Sequence, residues 1–138
     1  MKKLGSGKLN LAAGFFVIAL FMAYGFFLIY LRDFAPGKEE WIAAYSSGKH
    51  FETRLAHVHG ALFSVLNMIL GIALIHMQAA KQNLLKAVEG FGLLGLLMPL
   101  GILAEVYFGA PPFLVLLGGI SILISFVLAG VAALQSNQ

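Results

Sequence analysis

The sequence has no cysteine and little charge, since Asp, Glu, Lys and Arg together make up 11% of its 138 residues. Without cysteine there is no disulfide framework, no thiolate nucleophile and no cysteine-based metal site. The low charge also excludes a disordered chain, because disorder requires high net charge and low hydrophobicity. No run of four or more lysines or arginines is present to bind phosphates, so we predict no nucleic-acid partner.

Hydrophobic residues are in large excess, at 60% of the chain. Soluble domains average about 45–50% apolar residues, and a chain of this size cannot bury such a surplus in one core. Four apolar segments are each long enough to cross the roughly 30 Å hydrocarbon layer as a helix. These segments are 11–31, 55–75, 88–108 and 112–134. We therefore predict an all-α, integral membrane four-helix transmembrane bundle in a lipid bilayer, forming one domain over 1–138 with a polar loop at 32–54.

The lysines of the short segments predict the orientation. With four spans, the N-terminal segment and the second loop lie on the same side of the membrane. Their lysines are Lys2, Lys3 and Lys8 in the first and Lys81 and Lys86 in the second. The long first loop has balanced charge, so the positive-inside rule places both termini inside (N-in and C-in), and we expect an inner, cytoplasmic membrane.

A stripe of small and polar residues runs along the second span. Its members follow one another at spacings of three and four, which places them on one helix face. They are His57, Gly60, Ser64, Asn67 and Gly71. Such a stripe belongs in the bundle interior, where small residues permit close helix approach and polar groups find partners. Helix packing held by hydrogen bonds of Ser64 and Asn67 is the simpler interpretation of the same pattern.

Histidines within spans are uncommon and usually serve a site or a pathway. His59 lies about 200° around the helix from His57, so the two cannot hold one metal together. We predict that His57 is the inward group and that His59 faces another helix, a neighbouring subunit or the headgroups. Arg54 lies one turn before His57 and can meet an anionic group such as a carboxylate or a propionate.

The third span carries an acidic residue, Glu105, close to its end. By depth it could pair with Arg54 or His57, and Tyr107 lies beside it; the alternative is that Glu105 and Tyr107 are exposed to headgroups. Earlier in this span, Pro99 predicts a kink.

The fourth span carries a ridge of small residues suited to helix contact. The ridge consists of Gly118, Ser121, Ser125 and Ala129.

A mononuclear zinc site needs three ligands, and His57 with Glu105 supplies only two. One interior histidine with aromatic walls, a nearby arginine and a tyrosine is more compatible with axial ligation of haem.

The stretch Ala56–Ser64, AHVHGALFS, resembles the second-helix motif of small four-helix membrane isomerases, namely the styrene oxide isomerases and the related hydroxylaminobenzene mutases. The resemblance implies a homo-oligomer, as a trimer, with haem b held by His57 and its iron acting as a Lewis acid on an epoxide-like oxygen. It also implies a site role for Tyr107. The expected substrate is a small hydrophobic molecule in a cavity lined by Tyr107 and Asn67.

The motif also departs from the family's pattern. Phe63 and Ser64 stand where the family has Asn-Gly, and Asn67 follows one turn later. The acidic residue that the family places early on its third helix has no counterpart, since Glu105 lies later.

Two other functions are compatible with the sequence. In the first, the chain is a non-enzymatic membrane subunit or assembly partner, in which the polar stripe is packing and the ridge of the fourth span contacts another protein. In the second, it is a small transporter or proton-relay component that uses His57 and Glu105.

Overall fold

The computed structural model describes residues 7–136, and every regular element within this range is a helix. The elements are α1 (Lys8–Asp33), α2 (Lys38–Ala43), α3 (Gly48–His76), α4 (Gln82–Gly95), α5 (Leu97–Phe108) and α6 (Phe113–Ser136). The predicted all-α fold is confirmed.

Four stretches of helix are long and apolar enough to cross a membrane: α1, α3, α4 together with α5, and α6. They contain 26, 29, 27 and 24 residues, which exceed the roughly 20 residues that a span requires. The chain is therefore an integral membrane protein built on a four-helix bundle.

The segment 32–54 is more helical than predicted. It contains the short helix α2, and the second spanning helix begins at Gly48 rather than near Leu55. Gly37 and Gly48 have φ angles of 79° and 55°, which glycine adopts at no steric cost. These two positions let the chain turn on either side of α2.

The third span is broken at Leu96, between α4 and α5. Proline has no N–H and its ring clashes with the carbonyl four residues earlier, which for Pro99 is that of Gly95. Instead of continuing the α-helical pattern, the Leu96 N–H bonds to the Leu93 carbonyl at 3.1 Å. The predicted kink is confirmed, and Pro99 itself is fully buried in the bundle.

The helices pack in two sets. α1 packs mainly against α3, α6 packs against α4 and α5, and α3 joins the sets through its contact with α5. The stripe on α3 meets α1, because a Cβ at Gly60 would lie 2.3 Å from the Phe21 ring and one at Gly71 would lie 2.7 Å from the Leu11 nitrogen. The predicted interior position of the stripe is confirmed for its small residues.

The ridge on α6 also faces a neighbour in the same chain. Gly118, Ser121 and Ser125 are buried, and the Ser125 hydroxyl donates to the Val88 carbonyl of α4 at 2.7 Å. Its contacts therefore lie within the bundle rather than on a free surface.

The opposite face of α1 is exposed and rich in aromatic and aliphatic side chains. These include Phe15, Phe16, Leu20, Phe26 and Phe27. In a membrane-spanning helix such a face contacts lipid acyl chains.

Candidate functional site

Polar side chains from three helices meet at one end of the bundle, where α1 and α5 end and α3 begins beside α2; we call it the α2 end. The Tyr24 and Tyr107 hydroxyl oxygens lie 3.2 Å apart, which joins α1 to α5. The Lys49 ammonium nitrogen lies 4.7 Å from the centroid of the Tyr107 ring. The His57 ring centroid lies 6.3 Å from that of Tyr24. These four residues form the tyrosine cluster.

His57 is half-buried at the contact between α3 and α1. A Cβ at Gly25 of α1 would lie 2.8 Å from its Cε1 and 3.3 Å from its Nε2, so this edge of the ring lies against α1. Its Nδ1 is buried and has no hydrogen-bond partner within the described part of the chain. His57 therefore faces α1, as Gly60 and Gly71 of the stripe do.

His59 is also half-buried, on a different flank of α3. Its Nδ1 donates to the Leu55 carbonyl at 2.9 Å, and its ring centroid lies 6.1 Å from that of Phe63. A histidine that donates from Nδ1 keeps its Nε2 as the free nitrogen. As predicted, the two histidines do not share a face. No group of three His, Cys, Asp or Glu residues that could hold a metal ion is found within residues 7–136.

Arg54 lies at the α2 end, in the early turns of α3. Its guanidinium carbon lies 3.6 Å from the centroid of the Tyr45 ring, and its Nη1 donates to the Tyr45 carbonyl at 3.2 Å. Arg54 lines a cavity of about 500 Å³, which we call the arginine cavity. The lining residues are Leu28, Ile29, Arg32, Asp33, Ile42, Tyr45, His50 and Arg54.

His50 connects α2 to α3. Its ring stacks on Trp41 at 4.2 Å between centroids, and its Nδ1 donates to the Trp41 carbonyl. The Thr53 hydroxyl donates to the His50 carbonyl at 2.9 Å. A second cavity of about 420 Å³ lies beside this stack, with Glu40 and Lys49 in its lining.

Glu105 takes no part in these contacts. It is exposed on α5, and the ion pair found within residues 7–136 joins Arg32 to Asp33. The pairing of Glu105 with Arg54 or His57 that its depth allowed is therefore not formed.

Asn67 lies far from the tyrosine cluster. It follows His57 by ten residues, which is about 15 Å along a helix at 1.5 Å per residue. The Asn67 Oδ1 accepts a hydrogen bond from Asn10 Nδ2 at 2.8 Å, and the same Nδ2 also donates to the Glu89 carbonyl at 3.2 Å. The Glu89 side chain in turn accepts from the Gly7 N–H at 2.8 Å, through Oε1. We call Asn10, Asn67 and Glu89 the asparagine network. The predicted cavity lined by both Asn67 and Tyr107 is therefore not formed, because the structure does not place these two residues side by side.

Ser64 has a packing role at the same interface. Its hydroxyl donates to the Gly60 carbonyl of its own helix at 2.6 Å, and a Cβ at Gly14 of α1 would lie 2.7 Å from the Ser64 carbonyl oxygen. The side chain is fully buried.

Sequence reasoning did not single out Tyr24 as a site residue. A usable signal was present, because Asn10, Gly14 and Phe21 are the buried residues of α1 and recur at spacings of four and seven. Tyr24 continues that face by one further turn.

Searches against protein-family models, curated proteins and solved structures find no match to this chain.

Proposed function

We propose that this protein is a membrane-embedded isomerase for a small hydrophobic molecule with an epoxide-like oxygen, and that the tyrosine cluster is its reacting site. The observation that carries the proposal is the 3.2 Å contact between the Tyr24 and Tyr107 hydroxyls. In such a pair one hydroxyl donates to the other and leaves the second proton free for a substrate oxygen. Tyr107 is exposed at the edge of the bundle, within reach of a molecule dissolved in the membrane.

The reaction needs no other reactant. Tyr107 donates its proton to the epoxide oxygen, the C–O bond at the better stabilised carbon breaks, and a hydride shifts to that carbon from its neighbour. The resulting hydroxyl-bearing carbocation returns its O–H proton to the Tyr107 phenolate, which leaves a carbonyl compound with the same atoms. Tyr24 donates to the phenolate oxygen, and the Lys49 ammonium beside the ring adds electrostatic stabilisation.

The mechanism contains no step through haem. The Nε2 edge of His57 lies against Gly25, and His57 lines neither of the two large cavities at the α2 end. A porphyrin at this histidine does not fit between α1 and α3 of a single chain. Haem b and the trimer implied by the resemblance stay predictions.

Absorption spectroscopy tests the haem prediction. We expect any Soret band of protein purified from haem-sufficient cells to persist in His57→Ala, because the Nε2 edge of His57 lies against Gly25 of α1. His59→Ala tests the other histidine of this part of α3, whose Nδ1 donates to the Leu55 carbonyl. His76→Ala is the matched control, since the His76 Nδ1 makes the same bond to the carbonyl four residues earlier, at 2.8 Å. A band lost only in His57→Ala would show that α1 moves away from α3, and a colourless wild type would refute haem binding.

Replacement of Tyr107 tests the isomerase proposal. We expect Tyr107→Phe to lower kcat/KM for an aryl epoxide by about 100-fold, at the low end of what a positioned acid contributes because Tyr24 keeps a hydroxyl nearby. The measurement is aldehyde formation by protein in lipid nanodiscs.

Tyr30→Phe is the control, because it removes a tyrosine hydroxyl from an exposed position on α1. Absence of aldehyde with the wild type, or equal rates for wild type and Tyr107→Phe, would rule out the proposed site.

We also propose an orientation of the chain in the membrane. Lys81 and Lys86 lie at the end of the bundle opposite α2, together with the start of α1, so an inner membrane with both termini inside agrees with the positive-inside rule. The tyrosine cluster then lies in the outer half of the membrane.

The two alternative functions have less support. A non-enzymatic subunit would use the α6 ridge to contact another protein, but that ridge is used within the chain. A transporter or proton relay would use His57 and Glu105, but Glu105 is unpaired among the described residues.

A further inference from the structure

The arginine cavity combines a charged rim with an apolar wall. Arg32, Asp33 and Arg54 supply the charges, while Leu28 and Ile29 lie on the same side of the cavity one turn earlier in α1. Because α1 ends at Asp33, its earlier turn lies deeper in the membrane than the charges. The volume of about 500 Å³ falls within the ordinary range of small-molecule sites.

The charge of Arg54 is the one left unbalanced in this cavity. Arg32 donates to the Asp33 carboxylate from Nε at 2.8 Å and from Nη2 at 2.7 Å, so these two charges neutralise each other. Arg54 forms no ion pair with any residue in the range 7–136. The lining therefore keeps one net positive charge.

The guanidinium of Arg54 is also held in place. It stacks on Tyr45 and donates one hydrogen bond to the Tyr45 carbonyl, which leaves other N–H donors of the fork available. An oriented guanidinium is suited to two-point binding of a carboxylate or a phosphate. The neighbouring His50 is already engaged, since its Nδ1 donates to the Trp41 carbonyl.

We infer that the arginine cavity binds an amphipathic anion, with its carboxylate or phosphate group on Arg54 and its hydrocarbon part along Leu28 and Ile29 towards the membrane interior. The two sources of this chemistry are a free long-chain carboxylate and the headgroup of an anionic phospholipid. The inference does not rest on the isomerase proposal, because binding at this cavity uses neither the Tyr24 nor the Tyr107 hydroxyl.

Binding of a fluorescent long-chain fatty acid to the protein in phosphatidylcholine nanodiscs tests the inference. We expect saturable binding by the wild type and a dissociation constant about tenfold higher for Arg54→Gln, as for loss of one charge-assisted contact. Arg54→Lys keeps the charge without the planar fork and should fall between the two. Lys38→Gln removes a cation that lies on the same side of the membrane and outside the lining. The Lys38 Nζ donates to the backbone carbonyl of Asp33 at 3.5 Å and to no side chain of the lining, so this variant should bind as the wild type does.

Nanodiscs that contain phosphatidylglycerol separate the two sources. If this lipid displaces the fatty acid from the wild type but not from Arg54→Gln, the headgroup is the ligand; if it does not compete, the free carboxylate is. Both results support the site. Absence of saturable binding to the folded wild type in either lipid, or equal binding by Arg54→Gln and Lys38→Gln, would overturn it. Tyr107→Phe should bind the fatty acid normally, which keeps this outcome separate from that of the isomerase test.

Discussion

Gly118→Ala is expected to lower the free energy of unfolding of the bundle by about 3 kcal/mol, the upper part of the range for overpacked cores. A Cβ at Gly118 would lie 2.2 Å from the backbone nitrogen of Met98 and 2.8 Å from its Cα. These are backbone atoms at the start of α5, directly after the break at Leu96. Backbone atoms cannot rotate away as the end of a side chain can. An alanine at position 118 therefore forces α6 away from the start of α5.

The adjacent glycine provides the control. A Cβ at Gly119 would lie 3.8 Å from the Met98 sulfur, which is an ordinary contact. Gly119→Ala should therefore be neutral or stabilise the helix by up to about 1 kcal/mol, because alanine loses less backbone entropy than glycine. Unfolding by SDS in mixed micelles, followed by circular dichroism, measures both. Equal midpoints for the two variants would show that α6 and α5 are not in close contact at the kink.

Asn67→Leu is expected to destabilise the protein by about 2 kcal/mol through the asparagine network. The Asn10 amide would lose its acceptor at 2.8 Å, and the Asn10 Oδ1 has no hydrogen-bond partner among residues 7–136 even in the wild type. Both asparagines are fully buried, so water cannot replace the lost bond. An unsatisfied polar group in a dry interior carries its full desolvation cost.

A double variant distinguishes a hydrogen bond from simple packing. Asn10→Leu with Asn67→Leu removes both partners, and we expect it to be less destabilised than the sum of the single variants. Asn83→Leu, at an exposed position in the first turn of α4, should leave the unfolding midpoint unchanged. Additive losses in the double variant would mean that the contact between the two side chains contributes nothing beyond volume.

Several site features were readable from the sequence because they depend on helical geometry alone. The spacing of His57 and His59 predicts that they diverge, and the structure confirms it. The same spacing does not say which neighbour each flank meets. His57 meets Gly25 because α1 packs along the stripe of α3, and this choice of partner depends on the shapes of both helices.

The separation of Asn67 from Tyr107 illustrates the same limit. Both are polar residues in spans, and the resemblance to the isomerases brings them together in one expected cavity. In the folded chain Asn67 instead bonds to Asn10 near the start of α1, while Tyr107 bonds to Tyr24 at the α2 end. Depth along each helix, rather than residue type, decides which polar groups can meet.

The near absence of charge and the length of the apolar runs determined, without any structure, that this is a four-helix membrane protein with a small-residue stripe on its second span. These properties are local, since each follows from composition or from the helical repeat of a single segment. The tertiary structure alone decided that the Tyr24 and Tyr107 hydroxyls meet across 83 residues of chain. It also decided that Arg54, among the described residues, is the charge of a cavity left without an ion pair. The physical reason is that such contacts depend on which helix faces close-pack together, a choice made by the whole bundle at once.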